Sequence, residues 1–365
     1  MTEYIPADLR SVYDSVMNDK RISPADGLAL FKSNNLGLLG HMADTVRRRK
    51  NGDRAFFNRN FHIEPTNICI HNCRFCSYKK PADSPLAWNH SPEKILDIVK
   101  SFDGKPVTEV HIVGGVHPDH DIDYYCRILD MIRDHRPELH IKAFSAIELD
   151  YIIGKSGLGT AAGLRKLKKH GLGSIPGGGA EIFDEKIREV ICKEKSSSGR
   201  WLEIHEEAHR AGIPSNATML YGHMETYEHR VDHMERLRVL QDSTGGFNSF
   251  IPLKYKKENN EMTGYGEVNI IEDMKNYAVS RIYLDNFPHI KAYWPALGKE
   301  STQLALSFGV DDVDGTIDDT TKIYSMAGAE DSNPAMTTEN ICSLISAAGY
   351  QPVERDTLYN TVREW

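Results

Sequence analysis

The sequence predicts an α/β protein built as a (β/α)8 barrel of about 260 residues, with a helical extension at each end. Three observations predict this fold class. The 365 residues are enough for one large barrel with extensions. From residue 59 onward, short apolar runs alternate with amphipathic helical patterns. The number of these runs also matches a barrel, since eight can be counted: 59–64, 109–113, 139–144, 172–176, 215–220, 247–252, 288–293 and 309–313. A doubly wound parallel sheet is the alternative architecture.

The elements around these runs divide the chain into three predicted parts. Residues 1–57 form a helical N-terminal extension, in which Ser23 and Pro24 mark the start of a helix. Residues 58–320 form the barrel, and residues 321–365 form a C-terminal extension in which the segment TTENICSLISAAG predicts a further helix. The barrel also contains three clear amphipathic helices, at residues 91–101, 121–134 and 226–242.

Composition excludes several classes of function and partner. Lys and Arg total 44 against 52 Asp and Glu, which gives a formal net charge of −8. Because there is no basic excess, neither nucleic acid nor an anionic membrane surface is a predicted partner. The N-terminal segment lacks the pattern of a signal peptide, and no stretch approaches the ~18 apolar residues that span a bilayer. We therefore predict a cytoplasmic protein, whose cysteines stay reduced.

Three of the six cysteines fall within eight residues. Cys69, Cys73 and Cys76 follow the first predicted strand with the spacing C-x3-C-x2-C. Thiolates are soft ligands that suit iron–sulfur clusters and zinc. A structural zinc site usually has four protein ligands, whereas the other three cysteines of this chain are scattered. The spacing therefore favours a [4Fe–4S] cluster with one iron open to a small molecule. Structural zinc and simple burial of the three side chains are the alternatives.

The segment CIHNCRFCSY, with Phe75 before the last cysteine and Tyr78 after it, resembles the radical S-adenosylmethionine (radical SAM) superfamily. The resemblance implies a βα barrel whose first loop carries a [4Fe–4S] cluster, with Cys69, Cys73 and Cys76 as ligands. It also implies that S-adenosylmethionine chelates the open iron and is cleaved to a 5′-deoxyadenosyl radical. Phe75 or Tyr78 would then lie near the adenine.

Further polar, glycine-containing segments follow the predicted strands. Barrel enzymes build their sites at the carboxyl ends of strands, so these segments are candidates for cofactor binding. Gly114 and Gly115 resemble the glycine pair whose backbone meets the methionine amino group in the superfamily. Ser145 and Glu148 resemble a segment that faces ribose or substrate, and Glu148 or Glu181 would bind ribose hydroxyls. Taken singly, each of these residues also has a structural interpretation, such as a turn or a helix cap.

The later strand ends carry the predicted substrate contacts. Asn216 and Thr218 lie on the fifth predicted strand and His223 follows it, and we assign these three the catalytic and substrate-binding roles. Arg188, grouped with the cofactor-binding residues, is a candidate partner for a carboxylate. The polar segment 254–267 predicts a long loop, with a lid as one interpretation. The other candidate carboxylate partners are Lys142, Lys254 and the backbone N–H groups of residues 177–179.

The long run from GLGSIPGGGAEIF to GGFNSFIPL resembles the radical SAM enzymes of futalosine-dependent menaquinone and deazaflavin biosynthesis. The segments HIKAFSAIE, SNATMLYGH and HIKAYW favour the aminofutalosine synthase family, whereas the cyclase family usually carries a Ser-Pro-Pro-Glu type segment where this chain has Ser145-Ala146-Ile147-Glu148. The resemblance implies addition of the adenosyl radical to 3-[(1-carboxyvinyl)oxy]benzoate, with S-adenosylmethionine consumed as a co-substrate and flavodoxin or ferredoxin as the typical electron donor.

Four other functions stay open from the sequence alone. Two belong to the same superfamily: a cyclic dehypoxanthine futalosine synthase and a subunit of deazaflavin synthase. An iron–sulfur electron-transfer protein belongs to a different class, but it predicts four clustered cysteines rather than three. A zinc-stabilised binding module is the last alternative.

Overall fold

A closed ring of parallel strands lies at the centre of the molecule. The computed structural model describes residues 5–316, 322–329 and 334–365. Three strands pair in the order β2-β3-β4, three in the order β5-β6-β7, and β8 pairs with β1. Parallel bridges at Lys142–Ser174, Ile175–Ser215 and Lys291–Asp312 join these groups into a ring. The strands are β1 (Arg54–Asn58), β2 (Asn60–Ile63), β3 (Glu109–Ile112), β4 (His140–Ala143), β5 (Ser215–Tyr221), β6 (Phe247–Lys254), β7 (His289–Ile290), β8 (Asp312–Gly315), β9 (Gln351–Arg355) and β10 (Thr361–Glu364).

The ring confirms the predicted barrel, and each of the eight predicted apolar runs contributes to it. The first strand position is bent, because β1 and β2 are separated by Arg59 and pair with different neighbours. The fourth position consists of the bridges made by Ser174 and Ile175, and the seventh has two strand residues. These short segments still have parallel neighbours on both sides, which is what closes the barrel.

Helices cover the outside of the ring. Val110 and Ile112 of β3 belong to the hydrophobic core, and Phe61 of β2 stacks on Phe102 with ring centroids 4.0 Å apart. The helices are α1 (Arg10–Met17), α2 (Pro24–Lys32), α3 (Leu36–Asn51), α4 (Pro92–Lys100), α5 (Ile122–His135), α6 (Ala146–Lys155), α7 (Thr160–His170), α8 (Glu185–Ile191), α9 (Ser198–Arg210), α10 (Tyr227–Thr244), α11 (Ile270–Tyr283), α12 (Trp294–Leu297), α13 (Lys299–Ala305) and α14 (Thr338–Ala347). The predicted start at Ser23 is confirmed, since its hydroxyl accepts a hydrogen bond from the Asp26 N–H as an N-cap.

One expectation for the N-terminal part is wrong. Helix does not continue to residue 57, because α3 ends at Asn51 and Gly52 takes a left-handed φ of 61°. A positive φ is incompatible with further helix and is tolerated by glycine. Residues 54–58 instead form β1, which is paired with both β8 and β9. The sequence signal was weak, because this strand is short and directly follows a long helix.

The C-terminal part is also not purely helical. The predicted helix is confirmed as α14, but it is followed by β9, which runs parallel to β1, and by β10, which pairs antiparallel with β9. Paired to β1, these two strands extend the barrel sheet outward. The predicted boundary at 57/58 stays a prediction, and the boundary at 320/321 lies outside the described residues.

Within the described part of the chain, every helix is too short or too polar to cross a membrane.

Candidate active site at the carboxyl ends of the barrel strands

The three clustered cysteines lie on a loop that the neighbouring strand holds in place. We call residues 64–80, which follow β2, the cysteine loop. The carbonyl of Thr66 accepts hydrogen bonds from the Gly115 N–H at 2.7 Å and the Tyr78 hydroxyl at 2.9 Å. The Ile70 N–H donates to the carbonyl of Val116 at 3.0 Å. The loop after β3 therefore fixes the backbone on which the cysteines are carried.

The thiols sit where backbone donors can stabilise a thiolate. Cys69 Sγ accepts from the Val116 N–H and Cys76 Sγ accepts from the Lys79 N–H, each at 3.4 Å. Burial raises the pKa of the Cys73 thiol to about 12, so a thiolate there needs nearby positive charge or a metal. Three thiols on one loop with N–H donors to sulfur fit the ligand set of an iron–sulfur cluster.

Among residues 5–316, 322–329 and 334–365, no group of three or more His, Cys, Asp and Glu side chains is arranged to hold a metal ion. The assignment of the three cysteines as cluster ligands therefore rests on their spacing in the sequence and on the backbone N–H donors to sulfur.

The glycine pair after β3 is required by the cysteine loop itself. A Cβ at position 115 would lie 2.3 Å from the Ile68 carbonyl oxygen, and one at position 114 would lie 2.8 Å from that of Thr66. Any side chain at these positions would push the cysteine loop away. The predicted contact of Gly114 and Gly115 with a methionine amino group stays a prediction.

Ser145 and Glu148 form a capping box at the start of α6. Glu148 Oε2 accepts from the Ser145 N–H and hydroxyl, both at 2.7 Å, and Oε1 accepts from the Gly114 N–H at 3.2 Å. Burial raises the pKa of Glu148 to about 7 despite these donors. The side chain thus links the third strand end to the glycine pair, and its predicted ribose contact stays a prediction.

The glycine-rich segment after the fourth strand position packs closely against β5. Gly177 has a φ of 87°, and a Cβ there would lie 2.1 Å from the Asn216 carbonyl oxygen. The Thr218 hydroxyl donates to the Gly177 carbonyl at 2.8 Å, and Asn216 Oδ1 accepts from the Ser249 hydroxyl at 3.0 Å. Asn216 and Thr218 are both buried, and their side chains bond to the neighbouring strand β6 and to the glycine-rich segment.

His223 belongs to a buried polar network at the end of β5. The histidine Nε2 lies 3.2 Å from the Leu220 carbonyl, to which it donates, and Nδ1 lies 3.4 Å from a Glu225 oxygen. Arg230 pairs with Glu225 at 2.8 Å. Burial lowers the pKa of His223, which keeps the imidazole neutral at pH 7. A role in proton transfer stays a prediction.

The side chains predicted to meet a carboxylate already have partners. Arg188 is buried and donates to the carbonyls of Ala180 at 2.6 Å, Ile182 at 3.3 Å and Ser196 at 2.6 Å. These bonds make it a support for the segment that carries Glu181, and the geometry does not favour its predicted contact with the cofactor. The two lysines are engaged in the same way, with Lys142 paired to Glu109 at 2.5 Å and Lys254 to Asp273 at 2.8 Å.

Phe75 and Tyr78 have different surroundings. The Phe75 ring is partly exposed and lies under the Lys195 ammonium, 5.2 Å from the ring centroid. Tyr78 is buried, packs edge-on against Trp88 and uses its hydroxyl on the Thr66 carbonyl. Tyr78 therefore stabilises the cysteine loop, and Phe75 is the better placed of the two for the predicted adenine contact.

Sequence reasoning missed Lys195. Its ammonium is 2.6 Å from Glu181 Oε1, and it is the largest charged influence on the pKa of the Cys73 thiol. Burial alone would lower the pKa of Lys195, but Cys73 and Glu181 together raise it well above its usual range. Cys192, which is outside the predicted ligand set, is buried close to the same lysine. No motif spacing connects residue 195 to the cysteines, since the contact exists only after folding.

The long polar segment after β6 lies across the cysteine loop. The Ser77 hydroxyl donates to the Glu258 carbonyl at 2.7 Å, and the Glu261 N–H donates to the Arg74 carbonyl at 2.8 Å. The loop predicted at 254–267 is confirmed except at its first residue, since Lys254 ends β6 and the loop runs from 255 to 269. Its interpretation as a lid stays a prediction.

Two family models together match most of the chain. The model of the radical SAM superfamily matches residues 63–237, which include the three clustered cysteines, and one described as the CofH/MqnC C-terminal region matches residues 244–365. The aminodeoxyfutalosine synthase of Thermus thermophilus is 42% identical over 97% of this chain and 96% of its own length. The chain belongs to the radical SAM superfamily. Enzymes of this superfamily use a [4Fe–4S] cluster and S-adenosylmethionine, so the predicted family, fold and cofactors are confirmed.

Other radical SAM relatives differ in name but match at comparable levels. The 5-amino-6-(D-ribitylamino)uracil–L-tyrosine 4-hydroxyphenyl transferase of Archaeoglobus fulgidus is 39% identical over 87% of this chain and 92% of its own length. The cyclic dehypoxanthine futalosine synthase of Streptomyces coelicolor is 36% identical over 98% of this chain and 90% of its own length. The crystal structure of methylornithine synthase superposes with a TM-score of 0.73 over 93% of this chain and 97% of its own, at 18% identity, and supports the fold alone.

Proposed function

We propose that this radical SAM enzyme is an aminofutalosine (aminodeoxyfutalosine) synthase of menaquinone biosynthesis. In that reaction C5′ of the 5′-deoxyadenosyl radical adds to the alkene of 3-[(1-carboxyvinyl)oxy]benzoate. The adduct radical attacks the arene, rearranges and loses CO2, and an electron is returned. The products are aminofutalosine, methionine and CO2, so S-adenosylmethionine is consumed.

The observation that carries this proposal is the 42% identity to the Thermus enzyme over nearly the full length of both chains. The relatives with other names are 39% identical over a shorter stretch and 36% identical over a similar one. The segments HIKAFSAIE, SNATMLYGH and HIKAYW, which contribute to β4, β5 and β7, support the same choice because they resemble the aminofutalosine synthase family.

The cysteine loop would hold the cofactor. Cys69, Cys73 and Cys76 are the proposed ligands of the [4Fe–4S] cluster. When bound, the cluster supplies the electron that cleaves the sulfonium of S-adenosylmethionine. Gly114 and Gly115 keep the cysteine loop in position by leaving room for its backbone.

The interior of the barrel would hold the arene and the nucleoside close together. Asn216 and Thr218 would line the interior next to residues 177–179. The backbone N–H groups of residues 177–179 stay candidates for a substrate carboxylate, but without a helix N-terminus, because the next helix, α8, begins only at Glu185. Holding C5′ against the alkene can supply ~7–11 kcal/mol through proximity and orientation. His223 is neutral and buried, which suits a group that holds a proton without exposing the radical to water.

The proposal also includes an electron donor and a cellular compartment. The proposed electron donor is a one-electron carrier such as flavodoxin or ferredoxin, and the proposed compartment is the cytoplasm. Both rest on the family rather than on a contact in this chain.

Product analysis tests the proposal. The anaerobically reconstituted enzyme is incubated with dithionite, S-adenosylmethionine and 3-[(1-carboxyvinyl)oxy]benzoate, and products are identified by mass spectrometry. We expect an adduct that contains the adenosyl group, together with one methionine per turnover. The variant Cys73→Ser is the control and should give none. Release of 5′-deoxyadenosine without an adduct would contradict the proposal and favour the hydrogen-abstracting relatives.

A further inference from the structure

The turn between α8 and α9, residues 192–197, places one lysine against the cysteine loop. Lys195 Nζ lies 2.6 Å from Glu181 Oε1 and 5.2 Å from the centroid of the Phe75 ring. Its side chain is 14% exposed and that of Glu181 is 9% exposed, so water screens this charge pair weakly. Phe75 lies between two proposed ligands in sequence, so the ammonium lies close to the segment that carries the ligand set.

The position of Lys195 is fixed relative to the cysteines. The Arg74 N–H donates to the Ile191 carbonyl at 2.8 Å, and the Asn72 N–H donates to Glu194 Oε2 at 2.7 Å. These bonds tie the backbone on both sides of Cys73 to the end of α8 and the turn after it. A buried charge held this way acts on the thiolates at constant distance, unlike a flexible surface lysine.

We propose that Lys195 is a positioning residue whose ammonium acts as a fixed cation beside Cys73 and raises the reduction potential of the bound cluster, with Glu181 as the counter-charge that limits this effect. One-electron reduction adds one negative charge to the ligand set without forming or breaking a bond. A nearby cation stabilises the reduced state more than the oxidised state, and a nearby carboxylate does the reverse. The proposal goes beyond the proposed function, because it holds for any acceptor of the radical.

The test is a redox titration of the reconstituted protein without S-adenosylmethionine, with dithionite as the reductant and the reduced cluster followed by electron paramagnetic resonance. Lys195→Gln should lower the potential, Lys195→Arg should leave it near that of the parent, and Glu181→Gln should raise it. Lys193→Gln is the matched control, since Lys193 lies two residues away in the same turn but is exposed. It removes the same charge and should leave the potential unchanged.

The reduction potential is expected to shift in opposite directions in Lys195→Gln and Glu181→Gln, which separates an electrostatic role from a structural one. Damage to the turn would move Lys195→Gln and Glu181→Gln in the same direction, and that result would overturn the proposal. An unchanged or lower potential in Glu181→Gln would also overturn it, even where Lys195→Gln loses its iron. The titration contains no arene substrate, so its outcome is independent of whether the chain makes aminofutalosine.

Discussion

Two buried carboxylates at opposite ends of the barrel have opposite electrostatics. Glu109 begins β3 at the bottom of the barrel, and Glu148 lies at the top, in the first turn of α6. Burial alone would raise the pKa of Glu109, but Lys142, Lys291 and Arg355 together hold it well below its usual range. Burial raises the pKa of Glu148 to about 7, because its partners are mainly hydroxyl and backbone N–H donors.

The difference extends to the surroundings of the two residues. At the bottom, the end of β9 and the segment after it cover the strand ends with paired groups. Arg355 binds Asp312 at 2.8 Å, and the Thr357 hydroxyl donates to Glu109 at 2.7 Å. At the top, Phe144 directly follows β4 with a positive φ of 62°, and Glu181 has a φ of 50° in the loop after the fourth strand position. The bottom also has one such residue, Tyr359, in the segment after β9. The two ends therefore differ in how their buried carboxylates are paired rather than in backbone strain.

The largest effect that we expect at the top comes from the cysteines. Replacing Cys69, Cys73 or Cys76 by Ser should abolish turnover and reduce bound iron, because serine is a poor ligand for an iron–sulfur cluster. Iron and sulfide analysis with the visible spectrum measures this. The controls are Cys126→Ser and Cys192→Ser, which remove buried thiols outside the proposed ligand set and should keep the iron. Loss of iron in Cys192→Ser would instead add that residue to the ligand set.

A single methyl group at the top should have the next largest effect. Gly115→Ala places a Cβ 2.3 Å from the Ile68 carbonyl, so the cysteine loop must move. We expect iron content and turnover to fall at least tenfold while the far-ultraviolet circular dichroism stays unchanged. Gly154→Ala is the matched control, because a Cβ in that helix meets no atom within 4 Å and should stabilise the helix by about 0.5–1 kcal/mol. Equal behaviour of the two variants would contradict the role given to Gly115.

At the bottom of the barrel, breaking the Arg355–Asp312 ion pair should lower the free energy of unfolding without affecting the candidate active site. Arg355→Met leaves the Asp312 carboxylate buried without its partner, which should lower the free energy of unfolding by about 3–5 kcal/mol. Denaturant unfolding of the apoprotein measures the change. The double variant Arg355→Met, Asp312→Leu should recover part of it, since both charges are then gone. A matching loss of cluster content in the folded fraction would show that the two ends are not separable.

The barrel and the proposed ligands were predictable because their signals are local. Apolar runs of four to eight residues predict buried strands, and the spacing of Cys69, Cys73 and Cys76 predicts a shared metal site. Lys195 was not predictable, because its contact with the Phe75 ring joins distant parts of the chain, and its contact with Glu181 depends on the path of the turn after α8. Arg188 has a different reason: its partners lie within eight residues, but they are backbone carbonyls, which the residue types do not reveal. Sequence identifies the chemical type of a residue, and only packing decides which partner it meets.

The smallest expected effect is on the pH dependence of stability, and it distinguishes Glu148 from Glu109 directly. The folded chain holds a proton on Glu148 up to about pH 7, whereas a Glu in the unfolded chain releases it near pH 4.5. Because the unfolded state then binds fewer protons, stability falls as pH rises from 4.5 to 7, by up to about 3 kcal/mol from this group. Glu148→Gln removes the titration, so its stability relative to the parent should increase across that range and stay constant above it. Denaturant unfolding between pH 5 and 8 measures the difference, with the exposed Glu189→Gln as a control that should show no such trend. If the difference in unfolding free energy between Glu148→Gln and the parent does not change with pH, the charge of Glu148 is balanced by its partners, as that of Glu109 is. The contrast between the two ends of the barrel would then no longer hold.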